Sequence, residues 1–103
     1  MTVVNSGVPL KNHSLQNRKV QSKKRLQWQC RRGMLELELF LKDFLEYDYE
    51  HLSNEKKFLF EDLLTVIDPV LFDYLMGTQE ADDHGLRDIV RTVREATRQR
   101  VNA

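Results

Sequence analysis

Apolar residues recur at three- and four-residue steps along most of the chain, which is the period of an amphipathic helix. The clearest case runs from residue 34 to about residue 47, where the apolar side chains share one face: Met34, Leu37, Leu41, Phe44 and Leu45. The stretch LELELF within it also alternates like a strand, but the helical period continues beyond that stretch. We therefore predict a helix here.

Polar and conformationally special residues mark the ends of other helices. A short helix fits residues 23–31, and Ser53 is a candidate N-cap for a later one. In DPVLFDYLMG, Asp68 can cap the start, Pro69 suits the first turn, and Gly77 can end the helix in the left-handed conformation. A last amphipathic helix closes the chain, so we predict an all-α fold, a small five-helix bundle. The predicted core comprises Leu37, Leu41, Phe44, Leu63, Ile67, Leu71, Leu75, Ile89 and Val93.

The first part of the chain differs from the rest. Residues 1–22 hold no hydrophobic period and carry no acidic side chain. We predict a disordered basic N-terminal tail over residues 1–22 and a single helical domain over residues 23–100. A mitochondrial presequence is the alternative for the tail. Against it, Arg18 is the only arginine before Arg25, and Pro9 interrupts the one apolar cluster.

The net charge of zero hides an asymmetry along the chain. Residues 1–32 carry a net charge of +8, residues 33–83 carry −11, and residues 84–103 carry +3. Such a distribution can orient a charged partner. No apolar run approaches the roughly 18 to 20 residues that a membrane-spanning helix needs, so we expect no direct membrane insertion.

Residue types that carry chemistry are few and scattered. The single cysteine, Cys30, excludes an intramolecular disulfide and a cysteine-cluster zinc site, and we expect it to be a packed thiol. His13, His51 and His84 are far apart in the sequence. No carboxylate pair stands out, and the glycines form no phosphate-binding loop. We predict no catalytic residue, no metal site and no enzyme activity.

Arg32, Gly33 and Glu36 form a conspicuous group at the predicted helix start. Arg32 and Glu36 are four residues apart, which by spacing alone favours an ordinary surface ion pair. Gly33 has no side chain and could let another backbone approach closely. The basic stretch KKRLQWQCRR places Trp28 among cations, which suits RNA binding. The acidic segment that follows argues against RNA, and we expect no nucleic-acid partner.

The stretch WQCRRGMLELELFLKDFLE resembles the SdhE family of flavinylation factors for succinate dehydrogenase, whose hallmark is an RGxxE motif. The likeness continues through residues 52–77 and covers about residues 24–98. Two positions depart from the common pattern: Tyr74 stands where many members have Trp, and Glu38 stands where Asp is frequent.

The resemblance implies a helical, non-enzymatic assembly factor, a chaperone that binds the flavoprotein subunit of succinate dehydrogenase and promotes covalent attachment of FAD to a histidine of that subunit. Fumarate reductase is a further candidate partner. FAD would be the partner's cofactor, and this chain would hold none stably. The implied partner-binding residues are Arg32, Gly33 and Glu36, with Arg31, Trp28 and Tyr74 as weaker candidates.

We expect a monomer in the bacterial cytoplasm, with the mitochondrial matrix as the alternative location. Two other functions stay open from the residues alone. One is a helical adaptor for a partner unrelated to flavin, and the other, ranked lower, is an RNA-binding module.

Overall fold

The computed structural model describes residues 18–102. Within them the chain forms five α-helices and one short 3-10 helix, and no strand. The α-helices are α1 (Lys23–Gln29), α2 (Leu35–Tyr47), α3 (Asn54–Leu63), α4 (Asp68–Met76) and α5 (His84–Asn102), and the 3-10 helix spans Tyr49–His51. The predicted all-α architecture with five helices is confirmed.

Helix α5 is central to the bundle, because it packs against α2, α3 and α4. Helix α1 packs against α2. Helices this short persist only by burying apolar faces against one another. The side chains with no solvent exposure are Leu26, Cys30, Leu37, Leu41, Phe44, Phe60, Leu63, Leu71, Ile89 and Val93. Most of them belong to the predicted core.

The predicted core is wrong at Ile67, which is 67% exposed. The prediction continued the apolar face of α3 through this residue, but α3 ends at Leu63 and Ile67 occupies the N-cap position of α4. Phe60 of α3, which was not in the predicted core, is fully buried. Its ring centroid lies 5.2 Å from that of Phe44 and 5.5 Å from that of Tyr49.

The helix ends largely follow the predicted signals. The Ser53 side chain accepts a hydrogen bond from the Lys56 backbone N–H, and Gly77 ends α4 with φ of +83°. Asp68 is not the N-cap that the sequence suggested, because Ile67 holds that position and Asp68 is the first residue of α4. Its carboxylate is bound elsewhere, as described below.

The residues just before α1 are tied to α3 through a buried carboxylate. Glu61 is only 4% exposed. It receives the Arg18 guanidinium at 3.0 Å and the Gln21 backbone N–H at 2.9 Å, while the Ser22 side chain caps α1. Arg18 and Gln21, which the sequence assigned to the tail, therefore contact α3. The prediction for residues 1–17 falls outside the described residues.

Removal of residues 1–21 is expected to destabilise the domain, whereas removal of residues 1–17 leaves the contacts of Glu61 in place. A buried acceptor left without its donors costs about 1–3 kcal/mol. Urea unfolding of the two truncated chains measures the difference, and we expect the longer truncation to lose about that free energy. Equal stability of the two chains would contradict the role assigned to Arg18 and Gln21.

Candidate functional site

The Arg32 side chain is directed into the protein and is only 12% exposed. Its Nη1 atom lies 2.9 Å from Oδ1 of Asp68, and its Nη2 atom donates to the Leu64 carbonyl oxygen at 2.6 Å. Nη1 also lies 3.5 Å from the Val66 carbonyl oxygen. One guanidinium therefore binds groups along the whole segment that joins α3 to α4. The planar guanidinium of arginine carries several N–H donors in a fixed arrangement, which suits this role.

Two carboxylates hold the backbone that joins α1 to α2. The Arg32 N–H donates to Oε2 of Glu38 at 2.9 Å, and the Gly33 N–H donates to Oδ2 of Asp68 at 3.3 Å. Asp68 thus binds both the side chain of Arg32 and the backbone of Gly33. We call these four residues, Arg32, Gly33, Glu38 and Asp68, the arginine clamp.

The surface ion pair between Arg32 and Glu36 that spacing favours is absent, since Arg32 pairs with Asp68. The i, i+4 rule applies inside a helix, and α2 begins only at Leu35, after Arg32. Glu36 is exposed in the first turn of α2. Among residues 18–102 it has no side-chain hydrogen bond or ion pair.

Gly33 lies in open space. Positive φ among the described glycines occurs at Gly77 alone, so Gly33 does not use the left-handed conformation that favours glycine. A Cβ atom added to Gly33 would meet no heavy atom within 4 Å. Neither backbone conformation nor internal packing requires glycine at this position.

Exposed apolar side chains surround the group. Leu35 is 72% exposed, Leu39 is 52% exposed, and both lie on α2 one turn apart. Exposed Ile67 directly precedes Asp68, whose carboxylate binds Gly33. We call Gly33, Leu35, Glu36, Leu39 and Ile67 the motif surface. At Glu36 and Leu39, this surface borders a cavity of about 260 Å³, which is also lined by Met76 of α4 and by residues of α5.

Trp28 and Arg31 lie on a neighbouring groove between α1 and α2, with a volume of about 450 Å³. Trp28 is 64% exposed, and the Arg31 guanidinium stands 5.0 Å from the centroid of its ring. Tyr47, which the sequence analysis did not select, lines the same groove and is 61% exposed. Arg31 also lines a cavity shared with Arg32, so it connects the groove to the clamp.

Tyr74 is not brought to the motif surface. It is half-buried against the core and lines a cavity at the end of α4 with Gly77 and residues of α5. Asp68 and Glu38, in contrast, are parts of the site that sequence reasoning missed. The sequence did mark Asp68 as unusual by placing it before proline at a helix start, but that signal suggested a cap.

Two further titratable groups, Cys30 and Tyr49, lie in the buried core. Cys30 is fully buried, and burial raises the pKa of its thiol to about 11, although the charges of Arg32 and Lys42 act to lower it. Such a thiol carries little thiolate at neutral pH, and the predicted packing role is confirmed. Burial, with a smaller contribution from Glu61, raises the pKa of Tyr49 to about 12.

Among residues 18–102, no three His, Cys, Asp or Glu side chains lie close enough together to hold a metal ion. None of the helices in this part of the chain combines the length and the apolar character needed to cross a membrane. His13 lies outside the described residues.

Comparison with known proteins identifies similar chains. The family model Sdh5, described as flavinator of succinate dehydrogenase, matches residues 24–97. A protein of Idiomarina loihiensis named FAD assembly factor SdhE is 43% identical over 72 residues, which are 70% of this chain and 80% of the relative. A Serratia protein with the same name is 40% identical over 81 residues, 79% of this chain and 92% of the relative. A Colwellia psychrerythraea protein of that name is 43% identical over 72 residues, 70% of this chain and 79% of the relative.

Proposed function

This chain belongs to the Sdh5 family of flavinators of succinate dehydrogenase, and on that premise we propose that it binds the flavoprotein subunit of succinate dehydrogenase and promotes covalent attachment of FAD to it. The resemblance predicted from the sequence is confirmed over the span that carries the motif. We assign the chemistry of attachment to the flavoprotein and its FAD, and binding to this chain.

Binding alone can accelerate such a reaction. A protein that holds the flavoprotein in the geometry where FAD and the acceptor side chain meet removes part of the entropic barrier. The factor then needs no acid, base or nucleophile of its own, and FAD stays the cofactor of the partner. Within residues 18–102, Cys30 and Tyr49, whose pKa values are raised by burial, belong to the core.

The observation that carries the proposal is the composition of the motif surface. It combines an exposed carboxylate at Glu36 that has no polar partner among residues 18–102, open space at Gly33, and three exposed aliphatic side chains. Apolar contacts around a few polar groups are typical of protein interfaces. In this proposal Glu36 contacts the flavoprotein directly, and Gly33 allows the flavoprotein backbone to approach. Arg32, within the arginine clamp, holds Gly33 and the start of α2 in position.

Trp28 and Arg31 extend the same interface at its edge. Trp and Arg are the residue types most often found to dominate binding energy, and both are exposed here. We assign Tyr74 a packing role next to α5. We further propose that the factor acts as a monomer in the bacterial cytoplasm and accepts the fumarate reductase flavoprotein as a second partner.

A reconstituted reaction tests this function. The purified flavoprotein subunit without covalent flavin is incubated with FAD, with and without this chain, and covalent flavin is measured by fluorescence of the denatured subunit in a gel. We expect a stable complex and faster flavin attachment when the chain is present. Complex formation without faster attachment would favour an adaptor role instead.

The same purified proteins distinguish the proposed function from the alternative of RNA binding. Binding of fluorescent single-stranded RNA that weakens steeply with added salt, together with no binding of the flavoprotein, would replace the proposed function.

A further inference from the structure

Helix α5 carries three arginines along one face, Arg87, Arg91 and Arg94, at steps of four and three residues. Side chains at these steps lie beside one another, and the row extends about 10 Å along the helix axis. We call these three residues the arginine row. It is distinct from the motif surface, which consists of residues from α2 and the segments before α2 and α4.

The arginine row has no ion-pair partner in the part of the chain that the structure describes. Among residues 18–102, no carboxylate oxygen comes within 4.0 Å of any of the three guanidinium groups. The other Asp, Glu and Arg side chains of α5 are all paired: Asp88 with Lys56, Glu95 with Arg98, and Arg100 with Asp48. Like charges one turn apart on a helix are destabilising, so an unpaired row of three has a cost that a partner of opposite charge would offset.

The row borders two cavities whose walls are partly polar and partly apolar. Tyr74 and Val90 line the smaller one, of about 180 Å³, together with all three arginines. Phe40 and Leu75 line the larger one, of about 370 Å³, together with Arg91 and Arg94. The cations therefore stand at the edge of cavities that offer some apolar surface beside polar groups.

The Arg94 guanidinium lies against the end of α4. The Cβ position of Gly77 would lie 2.6 Å from Nη2 of Arg94, so the guanidinium occupies space that the side chain of another residue would need. Gly77 also has φ of +83°, which favours glycine independently. One cation of the row is therefore placed at the carbonyl end of α4, where the helix dipole favours a cation.

We propose that the arginine row binds a short, carboxylate-rich segment of a partner protein, with acidic side chains on the arginines and apolar side chains in the two cavities. Arginine recognises carboxylates with paired hydrogen bonds, and the mixed cavities match a peptide that carries both residue types. This surface needs no assumption about flavin attachment.

The surroundings of the row argue against a nucleic acid or a membrane. Glu80 lines the smaller cavity and Glu95 the larger one, and Asp82 and Asp83 precede α5. A long phosphate backbone or an anionic bilayer would have to lie against these acids. A short peptide that spans about 10 Å can place its carboxylates on the arginines alone.

A binding measurement on the full chain tests the proposal. The probe is a fluorescein-labelled synthetic peptide that contains glutamates and two phenylalanines, and anisotropy reports its binding. We expect Arg87→Ala/Arg91→Ala to weaken binding about tenfold or more, and we expect wild-type affinity to fall as salt is raised from about 50 to about 200 mM. Arg94 is left unchanged because of its packing on Gly77.

The matched control is Lys24→Ala/Arg25→Ala, which removes the same charge from exposed positions on α1. We expect it to change affinity less than twofold, and a peptide with glutamine in place of glutamate should not bind. Equal weakening by both double variants, or none by the α5 variant, would overturn the proposal. So would tighter binding of single-stranded RNA or anionic vesicles that depends on the arginine row, because the partner would then be a polyphosphate or a bilayer.

Discussion

Glu36→Ala is expected to reduce the rate of covalent flavin attachment by roughly thirtyfold or more when the factor is limiting, while the free energy of unfolding stays within about 0.5 kcal/mol of wild type. Glu36 is exposed and makes no polar side-chain contact among the described residues, so its removal costs the fold little. A desolvated polar contact with the partner contributes about 2–5 kcal/mol, which corresponds to the expected loss.

Gly33 provides a second, independent probe of the same interface. An added Cβ there meets no atom of residues 18–102 within 4 Å, so Gly33→Ala and Gly33→Arg should both fold. If the flavoprotein backbone approaches this position, the long arginine side chain obstructs it, and Gly33→Arg should lower attachment more than Gly33→Ala.

The matched control for Glu36 is Glu55→Ala. Glu55 is also an exposed glutamate in the first turn of a helix, α3, and it lies outside the motif surface. We expect this variant to support normal attachment. Wild-type attachment rates with folded Glu36→Ala and Gly33→Arg would remove the motif surface from the interface, and family membership would then stand without it.

Local signals in the sequence predicted much of the fold. The apolar period of α2, the serine at position 53 and the glycine at position 77 each act within one or two helical turns, so their effect is readable from neighbouring residues. The structure places Ser53 and Gly77 at helix ends as predicted. The sequence also selected Arg32, Gly33 and Glu36 as one group.

Contacts between distant residues were not predictable in this way. Arg32 and Asp68 are separated by 36 positions, and nothing near Arg32 in the sequence identifies its partner. Spacing indicated Glu36, although the predicted helices over residues 23–31 and 34–47 left Arg32 outside both, so the four-residue rule did not apply to it. The same limit explains Ile67, whose exposure depends on where α3 stops and α4 begins.

The two exposed leucines of α2 agree with the helical period. That period placed Leu37, Leu41, Phe44 and Leu45 on one face, and all four are buried, whereas Leu35 and Leu39 lie off this face and are exposed. The strand-like alternation of LELELF would have placed Leu35, Leu37 and Leu39 on one side, so only the longer helical pattern separates them.

Arg32→Ala is expected to behave differently from Glu36→Ala, because it should destabilise the domain by about 2–4 kcal/mol. The substitution removes the hydrogen bond to the Leu64 carbonyl and leaves the carboxylate of Asp68 without its cation. Both partners are more covered than an ordinary surface pair, so solvent cannot fully replace the lost contacts. For a domain of this size the melting temperature should fall by roughly 10 °C or more.

A double-mutant cycle with Asp68→Ala isolates the pair. If the two side chains stabilise each other, the double variant should be less destabilised than the sum of the single variants. Arg32→Lys keeps the charge but cannot reproduce the planar donor fork, so we expect it to recover only part of the loss. Arg31→Ala is the matched control, because Arg31 is the neighbouring arginine in the sequence but is exposed, so its removal should change stability by well under about 1 kcal/mol.

Flavin attachment by Arg32→Ala then distinguishes positioning from direct contact. If Arg32 acts by holding Gly33 and Glu36 in place, attachment measured at increasing temperature should decline together with the folded fraction, and Arg32→Lys should recover both in parallel. A variant that is as stable as wild type would refute the clamp. A variant that is fully folded at low temperature and still inactive there would instead assign Arg32 to direct contact with the flavoprotein.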